Sequence, residues 1–326
     1  MVQPNELKLE LPIDVANGTV STTTNVWNIL IASYEGDIDK VKEMVGIQPE
    51  LLYAQYNYTP PIHFAVRQGH IELTDYLLKN GAYDPNYRSY PFRDNLQVIA
   101  EDRSYNEIAL MLKDYSTNPD RQKFKGENGR IHFKRNELQI EFEEAVDKND
   151  LNKTEEILKK NPEFALDETY FWGEGILMMP AKENQRDMID LLMKYGAKVP
   201  YILKWTQKYY FEHNDGAAYM IAKGMNPNTM SWHHVTILHD MAQNGNIEKA
   251  KLLIRNGAEI NSVDEEYQST PLGMAARWGH IEMVNYLLKQ GADVNIAGAS
   301  WATPLSWARK KGYSDMEKLL ITQGAK

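Results

Sequence analysis

An all-α stack of short helix pairs with projecting turns is the fold class that this 326-residue sequence predicts. Three observations predict it. Glycines recur at a fixed step: Gly224, Gly257, Gly291 and Gly324 lie 33, 34 and 33 residues apart, and each follows the apolar end of a helix-like segment. A second series, Gly245, Gly279 and Gly312, keeps the same step and ends a shorter helix-like segment, and Gly36 and Gly69 repeat it near the N-terminus. Between the glycines, apolar residues fall at helical spacing. A period of this size marks a repeat architecture and overrides residue-by-residue reading of secondary structure.

Each repeat reads as two helices. In TPLGMAARWGHIEMVNYLLKQGADVN, from Thr270 to Asn295, the first helix carries the small stretch Met274-Ala275-Ala276, which lets neighbouring repeats approach closely. The second carries Ile281, Met283, Val284, Leu287 and Leu288 as one apolar stripe. Neither helix can bury that stripe alone, so stacking repeats is what removes it from water. Gly291 supplies a left-handed helix stop, and the run after it leads through an extended turn into the next repeat.

The segments PPIHFAVRQGHIELTDYLLKNGA, TILHDMAQNGNIEKAKLLIRNGAEIN, TPLGMAARWGHIEMVNYLLKQGADVN and ATPLSWARKKGYSDMEKLLITQGA resemble ankyrin repeats. Elsewhere the pattern is degenerate, but about nine repeats can be placed, at roughly 25–54, 55–87, 88–116, 138–166, 167–199, 200–230, 231–264, 265–297 and 298–326. In the first and fourth, Gln48-Pro49-Glu50-Leu51 and Asn161-Pro162-Glu163-Phe164 replace the usual ending, and these two align without gaps at an offset of 113 residues. The chain therefore reads as an N-terminal extension (1–24), a first sub-array (25–116), a charged linker or loop (117–137) and a second sub-array (138–326).

Composition narrows the function. The net charge is −9, from 36 Lys and Arg against 45 Asp and Glu, and no basic block is present that would neutralise a phosphate backbone, so nucleic acid is not an expected partner. No apolar run reaches the ~20 residues that cross a bilayer, and the first residues lack a basic segment followed by an apolar one. No membrane partner is expected. The absence of cysteine excludes disulfides, thiolate metal sites and a cysteine nucleophile, and points to the cytoplasm. Asn17-Gly18-Thr19 and Asn152-Lys153-Thr154 match the glycosylation sequon, a pattern short enough to arise by chance.

The resemblance implies where a ligand would sit: on the finger-like turns between repeats and on the exposed ends of the first helices. On the fingers lie Tyr56, Phe171, Trp172, Trp232, His233, Tyr267 and Trp301; on or near the helix ends lie Tyr34, Arg67, Tyr210, Arg277 and Trp278, with Lys182, Gln243, Asn244, Lys310 and Lys311. Trp and Tyr beside Arg is the composition of interaction hot spots, because such side chains bury large area with few rotatable bonds. One ring taken alone reads as packing between fingers. Several on one face read as a binding groove, expected in the second sub-array between Tyr170 and Trp301.

Chemistry is less well supported. The resemblance makes His63 and His239 structural, their rings bonded to neighbouring backbone, and His70 and His280 structural at the start of second helices. His213, His233 and His234 remain uncommitted, and three or four convergent ligands for zinc are not announced. Glu35, Glu174 and Glu183 would serve as acids or bases only if gathered among the rings; as isolated residues they are solvated carboxylates. No phosphate-cradling glycine loop, G-x-S-x-G or H-E-x-x-H occurs. The expected function is a non-enzymatic scaffold, without cofactor or metal, holding a protein or peptide in an aromatic groove. A small-molecule binder or enzyme with its pocket in the second sub-array is the first alternative, and a structural spacer the second.

Overall fold

The computed structural model describes residues 1–16, 18–126, 130–203 and 207–326, with the backbone alone at 172, 202–203 and 207–208; Asn17 of the first sequon lies outside the described residues. The fold is all-α and divides into two compact units, residues 3–133 and residues 134–326 together with Met1–Val2.

In the unit of residues 3–133, a hairpin of β1 (Pro12–Ala16) and β2 (Thr19–Thr22) precedes the helix pairs α1 (Thr23–Glu35) and α2 (Ile38–Ile47), α3 (Pro61–Gln68) and α4 (Ile71–Lys79), and α5 (Leu96–Asp102) and α6 (Asn106–Thr117). First helices stack on first helices, α1 on α3 and α3 on α5. The hairpin is not a loose extension. Ile13 and Val15 are each 1% exposed, and β1 packs on the 3-10 turn Pro49–Tyr53 that closes the first pair. Ile13 also bridges Ile131, flanked by hydrogen bonds from Asp14 N to Arg130 O (3.0 Å) and from His132 N to Pro12 O (2.9 Å). Part of the charged segment is thereby folded back onto the start of its own unit. A lone stack leaves its end repeats with an uncovered apolar face, and the hairpin covers one of them.

The other unit contains α7 (Glu137–Asp147) and α8 (Leu151–Lys160), the single turn α9 (Tyr170–Gly173), α10 (Met178–Lys182) and α11 (Arg186–Lys194), β3 (Ile202–Leu203), α12 (Asn214–Ala222), β4 (Met230–Ser231), α13 (Ile237–Gln243) and α14 (Ile247–Arg255), α15 (Pro271–Arg277) and α16 (Ile281–Lys289), and α17 (Pro304–Lys311) and α18 (Ser314–Thr322). The 3-10 turn Gln207–Phe211 takes the place of a first helix before α12. Stacking runs from α7 to α10 to the turn Gln207–Phe211 and from α13 to α15 to α17.

The two helices of a pair differ because their surroundings differ. α15 lies between α13 and α17, and every one of its residues is buried, which is why it is built from small and apolar side chains. A Cβ on Gly273 would collide with Ser269. α16 has one covered side, with Met283, Val284 and Leu287 inside. Ile281, read from the sequence as part of that stripe, is 39% exposed because it occupies the first helical position, before the turn reaches the core.

Every first helix is closed by a left-handed residue: Gly36, Gly69, Ser104, Asn149, Asn184, Gly245, Gly279 and Gly312 have φ between 54° and 79°. Where it is glycine and another repeat follows, the bare backbone also receives a ring from that repeat. A Cβ on Gly36 would lie 2.6 Å from His70, one on Gly69 2.9 Å from Tyr105, one on Gly245 2.9 Å from His280 and one on Gly279 3.1 Å from Tyr313. Each of those rings belongs to the residue that starts a second helix. His70 and His280 add a hydrogen bond from the ring back to the preceding repeat, to Tyr34 O (2.9 Å) and Gln243 O (2.7 Å).

His239 joins repeats by a different route. Its Nδ1 lies 3.2 Å from Thr236 N and 2.8 Å from the Thr236 hydroxyl, and its Nε2 lies 3.2 Å from Ser269 O in the following finger. The ring is fully buried, and burial pushes its pKa down to about 4. His63, at the same place in the second repeat, meets the Tyr87 hydroxyl at 2.9 Å.

Two outcomes are expected. Gly245→Ala imposes both a left-handed alanine and a clash with His280, and should cost about 2–3 kcal/mol, against about 1 kcal/mol for Gly312→Ala, whose Cβ meets nothing within 4 Å; urea denaturation of the two variants checks the order. Because His239 is neutral in the folded chain, the unfolded chain takes up the proton first as pH falls below about 6.5, and stability is lost towards pH 4. The loss should be on the order of 3 kcal/mol, and His239→Gln should flatten that part of the stability–pH curve.

Candidate functional site

The residues that the structure brings together lie in the last two repeats, and the finger between α14 and α15 organises them. Asp264, 1% exposed, accepts hydrogen bonds from Tyr267 N (2.5 Å) and Ser269 N (3.1 Å), and its own N–H donates to Ser269 O (3.0 Å). These bonds close the turn and aim Tyr267 inward. Ser269 then serves two neighbours: its hydroxyl donates to Ala302 O (2.9 Å) and accepts from Trp307 Nε1 (3.2 Å).

Four rings follow one another edge to face. Trp301 meets Trp307 at 5.7 Å between ring centres, Trp307 meets Tyr267 at 5.9 Å and Tyr267 meets Trp278 at 6.0 Å, with interplanar angles of 89°, 71° and 89°. The guanidinium of Arg277 lies over three of them, 4.1 Å from Trp278, 4.4 Å from Tyr267 and 5.1 Å from Trp307. Edge-to-face pairs contribute about 0.5–1.5 kcal/mol each, and a desolvated cation over a ring about 2 kcal/mol. The middle of the row, Tyr267 and Trp307, is fully buried, while Trp278 and Trp301 at its ends are half-buried, each with part of a face in water. The cluster is a rigid ledge with an aromatic surface at each end.

Exposure is where the other predicted residues depart from expectation. Tyr56, Arg67, Phe171, Tyr210, Trp232, His233, Tyr267 and Arg277 are all 7% exposed or less, so they do not form an open aromatic groove. The reason is that the fingers stack on one another, with Glu265 N donating to His233 O (3.0 Å) and Gly298 N to Gln268 O (2.7 Å), and the rings fill the spaces between. Trp232 packs on His233 at 4.1 Å, and His233 Nδ1 lies 3.4 Å from the buried Glu266 carboxylate. Tyr210 donates to Glu174 O (3.0 Å); burial first, and then the charge of Glu174, hold its hydroxyl well above the usual tyrosine range. Phe171 occupies a left-handed position, and its N–H donates to Glu143 (2.7 Å). The side chain of Trp172 lies outside the described residues.

Tyr34, Tyr56 and Arg67 belong to the other unit. There Tyr56 donates to the buried Glu6 carboxylate (2.5 Å), and Arg67 lies over Phe64 (5.0 Å) and the half-buried Tyr34 (5.5 Å), a smaller version of the arrangement at Arg277. Glu35 is exposed in that unit; in the other, Glu174 is buried whereas Glu183 is exposed and paired with Lys182 at 3.0 Å. His234 pairs with Glu265 (2.5 Å). His213 lines an open cleft of about 390 Å³ with Asn184, Glu212, Asn214 and Asp215, a polar lining unlike the apolar walls of small-molecule sites. No group of three or more His, Asp or Glu able to hold a metal occurs among the described residues.

Trp307 does not stand out in the sequence, although it anchors the ledge. Its position in the first helix matches Phe64 and Met274, both fully buried. The signal that could have found it is size: a tryptophan where neighbouring repeats carry smaller groups must reach beyond its own repeat.

Known proteins agree with the architecture. A family model for three ankyrin repeats matches residues 205–298 and 238–326, and the single ankyrin repeat model matches residues 58–90. The human transient receptor potential cation channel subfamily A member 1 is 24% identical over 236 residues, covering 72% of this chain and 18% of that protein. The mouse ARF GTPase-activating protein GIT2 and the Drosophila melanogaster ARF GTPase-activating protein Git are each 34% identical over 84 residues, covering 26% of this chain and 12% of theirs. The chain thus spans less than a fifth of the length of these relatives. Between and before the matched segments, helix pairs continue from α1 to α11, the first helix of each closed by a left-handed residue. The chain is an ankyrin-repeat protein.

Proposed function

We propose that this chain is a non-enzymatic scaffold that holds a protein or peptide partner against the ledge formed by Trp278 and Trp301. Ankyrin repeats are generally protein–protein interaction modules. The observation that carries the finer reading is the contrast within one row of rings: Tyr267 and Trp307 are fully buried, whereas the Trp at either end is half-buried. Large side chains that are held rigid and yet meet water lose little conformational entropy when a partner covers them, which is the physical basis of a hot spot. Arg277 belongs to the support rather than the contact surface, since its guanidinium is stacked and 4% exposed.

The same reading treats the chain as two sub-arrays. It places the partner on the second and leaves the first, with its covering hairpin, as a separately folded body. A cytoplasmic setting fits the absence of cysteine and of any described helix long and apolar enough to cross a membrane. The polar cleft at His213 gives a small-molecule function little support.

The test begins with recovery of the partner on the intact protein from its native host, followed by titration of the purified pair. Trp278→Ala combined with Trp301→Ala should weaken binding about thirtyfold or more, the cost of losing a hot spot of roughly 2 kcal/mol. Leu110→Ala, which trims an apolar residue 67% exposed in the other unit, should change nothing. Equal affinity of the double variant and the parent would move the interface off the ledge.

A further inference from the structure

Charge near the ledge narrows the kind of partner, on the condition that the ledge is the binding surface. The two residues before each left-handed closing glycine are Gln243-Asn244, Arg277-Trp278 and Lys310-Lys311 in the last three repeats, without a carboxylate among them. The last turn of α17 carries three consecutive cations, Arg309, Lys310 and Lys311, in a chain whose net charge is −9. Arg309 is turned to α18, where Glu317 accepts from it at 2.8 Å. Lys310 is turned to the ledge: its ammonium lies 5.9 Å from the centre of the Trp307 ring, the ring that joins Trp301 to Tyr267. Lys310 is exposed and Lys311 half exposed. The carboxylate on the neighbouring finger, Glu265, is held by His234 at 2.5 Å.

From this we infer that the ledge recognises an acidic peptide segment that carries apolar or aromatic side chains beside an Asp or Glu. The apolar groups cover Trp278 and Trp301, and the carboxylate meets the Lys310 ammonium. Lys310 lies beside the row of rings, and partial exclusion of water there strengthens the ion pair relative to one on an open surface. Opposite charge also raises the association rate and rejects basic segments.

A phage-displayed library of random 16-residue peptides, selected on the intact protein, tests this before any natural partner is identified. The enriched sequences should combine Asp or Glu with Leu, Phe, Trp or Tyr. Synthetic copies should lose about tenfold or more in affinity on Lys310→Glu, with helical content unchanged by circular dichroism, and should bind several-fold more weakly as salt rises from about 0.05 to 0.5 M. Enriched peptides that are basic or uncharged, yet are lost on Trp278→Ala with Trp301→Ala, would overturn the acidic preference and leave the ledge standing. Peptides indifferent to both sets of substitutions, or no enrichment at all, would count against the ledge itself.

Discussion

The contact on which the structure depends is the one made where each first helix ends. A left-handed residue turns the chain, and where it is glycine and another repeat follows, its bare backbone receives the ring that starts the second helix of that repeat, as His70 covers Gly36 and Tyr313 covers Gly279. A single residue thus fixes the angle within a repeat and the spacing between repeats. The first helices can then be buried on both sides and the second helices on one, which is the division of composition that runs through the chain. An isolated pair could satisfy neither requirement.

Above that backbone the fingers form a second, more polar layer of connection. His239 reaches Ser269 O, Ser269 reaches Ala302 and Trp307, and Asp264 holds the turn from which Tyr267 points inward. These bonds satisfy buried polar groups that stacking would otherwise strand. They also explain why the rings of these fingers are buried. Tyr267 and Trp307 are absorbed into the stack, whereas at the ends of the row, at Trp278 and Trp301, part of a face remains available.

Much of the fold could be read from the sequence because glycine has one strong reason to recur at this place. Five of the eight first-helix endings are glycine, and these are the ones that set the period. Ser104, Asn149 and Asn184 adopt the same left-handed conformation without advertising it, since serine and asparagine occur in many other settings, and the repeats that contain them looked degenerate for that reason. Gln207–Phe211 is less legible still, a 3-10 turn in the place of a helix. The site was harder. Finger position alone does not separate a ring that faces water from one packed on the next finger, and the sequence treats Trp232 and Trp301 alike although the first is 3% exposed and the second half-buried. That difference is decided by what the neighbouring finger supplies, as Glu265 and Glu266 do beside Trp232 and His233.

The pairing of Ile13 with Ile131 gives residues 3–133 a property that a plain repeat stack lacks. In a plain stack every contact is between neighbours in sequence, so folding can begin anywhere and spread. Here the first strand and the last segment of the same unit are joined, which makes that unit a closed loop in topology. The entropy of bringing its ends together must be met before the hairpin gains its outer strand. During synthesis, that bridge has to wait until residue 131 has left the ribosome, which makes it one of the last contacts of the unit that the growing chain can make.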